Sequence, residues 1–126
     1  MTRRALITAA LLTAGLAYMA WGRPVDALHL PTTGEPEGVG QTALYEGRVL
    51  GDVRTGCLTL ESGALVIWPR GFYAMERPAR VVRPNGAVAV RIGEPVALGG
   101  GYGAPAKLEC GTTERWLVSE VEDSLP

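Results

Sequence analysis

Trp68, Phe72 and Tyr73 are interleaved with Arg70, Arg77, Arg80 and Arg83 in one stretch of the chain. Aromatic faces stack on planar groups, and guanidinium forks pair with phosphate or carboxylate, so this mixture suits an anionic ligand. Small β barrels use the same mixture to hold single-stranded nucleic acid. Outside the cytoplasm, where the chain is expected to act, an anionic glycan, teichoic polymer or lipid headgroup is the expected partner, and nucleic acid is not. The plainer alternative is a solvated basic face. The expected ligand-contacting set is Trp68, Arg70, Tyr73, Arg77, Arg80 and Arg83.

Other chemistries find less material. His29 is the only histidine, so neither a histidine base nor a Cys and His zinc cluster is expected. Cys57 and Cys110 are the only cysteines and lack C-x-x-C spacing, which favours a structural disulfide over a redox pair. Closing a loop of that length would stabilise the fold by about 4 kcal/mol in the chain-entropy treatment. The run Gly99, Gly100, Gly101, Tyr102, Gly103 lacks the Lys and Ser or Thr of a phosphate-binding loop, and is expected to be a flexible or sharply turning loop. Glu120 and Glu122 could share a strand face, the one carboxylate pair a small hydrolase could use. Neither metal nor cofactor is expected; a haem chaperone of similar topology would need a C-terminal histidine, and the chain ends Glu122, Asp123, Ser124, Leu125, Pro126.

The elements that must position these residues begin with an export segment. Arg3 and Arg4 precede an uncharged run of 18 residues that starts at Ala5 and ends at Gly22, and Arg23 follows. Ten of the 18 are Ala, Thr or Gly, and Gly15, Leu16 and Ala17 make a small-x-small site, as in a cleaved signal peptide. Tyr18 and Trp21 before Arg23 instead resemble the flank of a retained membrane anchor. Both readings put the basic end in the cytoplasm and the body outside, secreted or anchored. The Arg pair also resembles a twin-arginine signal, although an ordinary basic n-region accounts for it.

Residues 23–41 hold Pro24, Pro31 and Pro36 with Gly34, Gly38 and Gly40, and are expected to be a Pro/Gly-rich linker. Residues 42–123 then form one small β domain. Without Arg3 and Arg4, ten basic and 13 acidic residues remain, a net charge of −3. Six arginines between positions 54 and 91 face only Glu61 and Glu76, while the later stretch is acidic, so the two halves could pair.

From Thr42 onward the apolar period is two. Tyr45, Gly47 and Val49 alternate with Leu44, Glu46 and Arg48. Leu58 and Leu60 alternate with Cys57 and Thr59, and positions 64–68 form a continuous apolar run that should be a buried strand. Residues 72–78 suggest an irregular loop or one helical turn. Residues 80–83 and 87–92 flank Pro84, Asn85 and Gly86 as a hairpin, with Asn85 and Gly86 both able to take positive φ. Residues 96–98 and 114–121 supply further strands, the last with Leu117 and Val121 on one face and Trp116 and Val118 on the other. Five to seven short strands in roughly 80 residues, without an amphipathic helix, predict an all-β, OB-like or related small barrel rather than a sandwich.

Cys57 with Leu58 and Leu60, then Val66, Ile67, Trp68, Pro69 and Gly71, then Asn85 with Gly86, then Gly93, Val96 and Gly99 to Gly101 resemble a family of small exported bacterial domains without an assigned activity. The shared features are a Cys-Leu strand, a Val-x-Trp-Pro-x-Gly element and a late glycine run, covering roughly positions 46 to 110. The resemblance implies export and a compact β domain, with no catalytic residues to carry over. The expected function is a non-enzymatic domain binding an envelope component. The alternatives are an accessory subunit of a membrane protein complex, reached through the segment from Ala5 to Gly22, and a small carboxylate-dependent hydrolase.

Overall fold

The computed structural model describes residues 30–122. The expected signal or anchor, the first part of the linker and His29 lie outside them. The fold is all-β, with strands β1 (Ala43–Asp52), β2 (Cys57–Leu60), β3 (Leu65–Ile67), β4 (Tyr73–Met75), β5 (Arg80–Val82), β6 (Val88–Arg91), β7 (Pro95–Tyr102) and β8 (Arg115–Val121). Five of them close a barrel in the order β1-β2-β3-β8-β7, and β4-β5-β6 form a second, three-stranded sheet. Barrel neighbours are antiparallel except β3 and β8, which run parallel. This is the expected OB-like barrel, with the second sheet inserted between β3 and β7.

Strand alternation builds the core. Val49, Leu58, Leu60, Val66, Trp68, Leu98 and Val118 are buried inside, and Ala74, Val81 and Val90 bring the inner face of the second sheet onto the same cluster. β1 serves two partners, pairing first with β7 and then, beyond Arg48, with β2. The bend needs Gly51, whose φ of 122° suits glycine and where a Cβ would collide with the Cys57 carbonyl oxygen.

Several local expectations are corrected. Residues 72–78 are not a helical turn: Tyr73–Met75 pair with β5 as an edge strand. The glycine run is not a loop, because it continues β7 between β1 and β8. In the β5–β6 hairpin only Gly86 takes positive φ, 88°. Its N–H donates to Arg83 O at 2.9 Å, while Asn85 holds the turn by accepting from the Ala87 N–H at 2.9 Å. Val121 is buried on the side of Trp116 and Val118, because a bulge makes Gly99 and Gly100 face Glu120 and Val118 and leaves Ser119 over. The buried Ser119 hydroxyl donates to Gln41 O at 2.5 Å.

Residues 30–41, expected as free linker, are strapped to the barrel. Leu30 is in the core. Trp68 N–H donates to Pro31 O and Thr33 N–H to Trp68 O, both at 2.8 Å, extending β3 by a short parallel partner. Further along, Arg70 N–H donates to Glu35 O and Gly38 N–H to Ser119 O. Proline and glycine here shape a strap whose backbone groups find partners on the barrel.

Cys57 and Cys110 form the expected disulfide, with Cα atoms 5.5 Å apart and 53 positions apart in sequence. It pins the arm between β7 and β8, residues 103–114, to the outer side of β2. The arm turns at Cys110 and Gly111, both left-handed (φ 52° and 77°), with Glu109 and Thr112 bonded to each other across the turn. At its base Arg115, buried, donates to Lys107 O at 2.9 Å and pairs with Glu109 at 3.2 Å.

Candidate functional site

The second sheet has one face on the core and one turned away from it. Alternation and register together assign the positions turned from the core: Tyr73 and Met75 on β4, Arg80 and Val82 on β5, Val88 and Arg91 on β6, of which Val82 is itself buried. Register then sorts them into rows. Tyr73, Val82 and Val88 are opposite one another, and so are Met75, Arg80 and Arg91. A bulge between Val81 and Val82 leaves Ala89 over and sets Val88 opposite Val82, so that Val88 joins Arg91 on the outer side.

Arg80 and Arg91 are therefore direct cross-strand partners with like charge, an arrangement that weakens a sheet by roughly 0.2–1 kcal/mol. No carboxylate lies within ion-pair distance of either among the described residues. Arg80 is half-buried, and its guanidinium donates to Pro78 O at 2.8 Å and contacts Met75 Sδ at 3.6 Å, which holds it along the face. Arg77 adds an exposed cation at the β4–β5 turn, with φ 59°. Tyr73, half-buried, is the aromatic member of the face.

The arrangement keeps part of the cluster expected from sequence and removes the rest. Trp68 is fully buried, with Phe72 stacked on it at a centroid distance of 6.3 Å, so it is a core residue and cannot meet a ligand. The continuous apolar run at 64–68 carried that information. Arg83 points the other way, with its side chain 13% exposed. Its Nε and Nη2 donate to the two Glu37 oxygens at 2.9 and 3.3 Å, and Nη2 also donates to Val121 O at 2.9 Å. Glu37 in turn accepts from Val121 N–H at 3.0 Å, so the pair clamps strap, second sheet and closing strand together. Arg70 is exposed at the turn after β3, beside the strap. Arg91 belongs to the face but was not in the expected set; placing residues 80–83 against 87–92 in hairpin register is the signal that finds it.

Two carboxylates elsewhere, Glu76 and Glu37, tie the fold together. Glu76, which follows β4, holds Arg54 from the β1–β2 turn at 2.7 Å. Its hydrogen bond and opposite charge raise the Arg54 guanidinium above its usual range, but the arginine is 71% exposed and water screens the pair. Glu120 lies exposed in a groove of about 460 Å³ with Glu37, both of whose oxygens are taken by the clamp. Among the described residues no three His, Cys, Asp or Glu side chains converge to hold a metal ion.

The outer side of β2 and β3, with the loops beside it, is where OB barrels grip oligonucleotides and oligosaccharides. Here Leu65 shares that side with Thr59 and Arg115 by register, and is fully buried. The disulfide ties the arm to this same side of the barrel through Cys57 on β2.

A different opening lies at the end of β7. Tyr102, 54% exposed, meets the buried Trp116 edge-on at 5.1 Å and 89°, and Trp116 also contacts Tyr45 at 6.0 Å. Tyr102 borders a groove of about 390 Å³ with Gly103, Pro105, Thr113, Glu114 and Arg115.

Compared with protein-family models, with curated proteins and with solved structures, the chain finds no match in any of the three, so the family resemblance drawn from its motifs remains an expectation.

Proposed function

We propose that this is a non-enzymatic β domain of the extracytoplasmic space that binds an anionic envelope component through the outer face of β4–β5–β6. Tyr73, Arg77, Arg80 and Arg91 are the contact residues, Arg80 held along the face by Met75. The observation that carries the reading is the cross-strand Arg80 and Arg91 pair without a carboxylate, in a body whose Arg54, Arg83 and Arg115 each have one. A like-charge pair costs stability unless an anion bridges it. A phosphate or carboxylate of a polymer or headgroup bridges two guanidinium groups by charge-assisted hydrogen bonds. The disulfide is consistent with an extracytoplasmic location.

The test is retention of the full chain on purified cell envelope, comparing wild type with Arg77→Gln/Arg80→Gln/Arg91→Gln. Retention should fall at least about tenfold in the variant, and wild-type retention should weaken with added salt. Equal retention of both proteins would remove the reading.

A further inference from the structure

We infer that the groove beside Tyr102 is a second binding site, and that it takes a neutral sugar ring of a glycan. Its position at the end of β7, between the barrel and the arm, is separate from the arginine face, and its chemistry is opposite. Tyr102 is 54% exposed, and its ring is held perpendicular to Trp116, which is itself 4% exposed and in ring contact with Tyr45. Pyranose rings present flat patches of polarised C–H groups, which pack favourably on the electron-rich face of such a ring. The Tyr102 hydroxyl has no hydrogen-bond partner among the described residues, so it remains available to a sugar hydroxyl.

The rest of the lining decides the charge of the ligand. Arg115 borders the groove, but its guanidinium is spent on Lys107 O, Glu114 O and the Glu109 carboxylate. Glu114 has its carboxylate free of partners among the described residues, with Thr113 beside it. The groove thus presents the Glu114 carboxylate and the two hydroxyls of Tyr102 and Thr113 but no available cation, which disfavours phosphate or carboxylate polymers and favours the hydroxyl and amide groups of an uncharged sugar. Its volume of about 390 Å³ lies within the range of small-molecule sites, roughly 300–1,000 Å³. The arm is tied down at its tip by the disulfide and at its base by Arg115, so little ordering is left for a ligand to drive.

The experiment uses the full-length, disulfide-intact protein with the tetramer of β-1,4-linked N-acetylglucosamine as probe. Binding is followed by tryptophan fluorescence and confirmed by calorimetry. Wild type and Tyr102→Phe should bind saturably, Tyr102→Ala at least about tenfold more weakly, and Glu114→Gln should also lose affinity. The salt-sensitive part of envelope retention, which the arginines carry, should be the same in all four proteins, so the two sites fail or succeed separately. No saturable binding by the wild type, or binding unchanged by both Tyr102→Ala and Glu114→Gln, would overturn the assignment.

Discussion

Removing the disulfide tests how the arm is held, and the effect follows from the loop it closes. Cys57 and Cys110 lie 53 positions apart, for which the chain-entropy relation gives about 4 kcal/mol at 25 °C. Against this stands Cys110 itself, a non-glycine residue in the left-handed region, where a side chain costs roughly 1–2 kcal/mol. Once the bridge is gone, the arm can relax that turn and recover part of the cost. Cys57→Ala/Cys110→Ala should therefore lose about 2–4 kcal/mol. In a domain of this size that lowers the melting midpoint by roughly 10–30 °C. Asparagine tolerates the left-handed conformation, so Cys57→Ala/Cys110→Asn should regain about 1 kcal/mol relative to the alanine pair. Thermal and urea unfolding of the three proteins measure this, after intact mass has shown that the wild type is two hydrogens lighter than its reduced form. A midpoint drop under about 5 °C would refute the reasoning. Equal stability of the alanine and asparagine variants would show that the turn does not survive without its bridge.

Trp68→Ala should cost about 3–5 kcal/mol by urea unfolding, the loss expected for a buried aromatic side chain. Trp68→Phe, if folded, should keep envelope retention, because Trp68 is inside the core. Glu37→Gln should destabilise by about 1–3 kcal/mol, since it removes one side of a largely buried clamp. A double-mutant cycle with Arg83→Gln should return a coupling energy well above the noise, and additive losses would mean that the strap is not held there. Gly51→Ala should cost about 3 kcal/mol or more, combining an unsuitable φ with a collision at the Cys57 carbonyl. A near-neutral effect in urea unfolding would show that β1 does not bend at Gly51.

The barrel was legible because its strands alternate over several residues: Tyr45, Gly47 and Val49 point inward as the pattern requires, and Leu58 and Leu60 do the same. β4 was not, since three residues between Gly71 and Pro78 are too few to show a period, and only the pairing with β5 makes them a strand. The glycine run was misleading for a related reason. Glycine lowers strand propensity, but backbone close approach at the bulge needs it there: a Cβ on Gly100 would collide with Leu117 O. Residues 30–41 look like linker by composition, and the contacts that dock them come from partners far along the chain, such as Arg83 and Ser119. In the site, sequence adjacency joined Trp68 to the arginines, whereas strand alternation separates them. Arg91 joins Arg80 only through cross-strand register.

The parallel pairing of β3 with β8 also bears on how the chain reaches this shape. Leu65 meets Arg115 across 50 positions, and until β8 is present the barrel has an open seam along both β3 and β7. Contacts this distant in sequence slow folding, because a large loop must close before any of them is rewarded. As the chain leaves the ribosome, N-terminus first, β1 to β7 emerge with their last partner still to come. The closing strand then completes the sheet, shuts two exposed edges at once and brings Val121 to the Arg83 and Glu37 clamp. Folding of such a barrel is therefore timed by arrival of its final strand, and losing that strand would leave an open, aggregation-prone sheet rather than a slightly smaller domain.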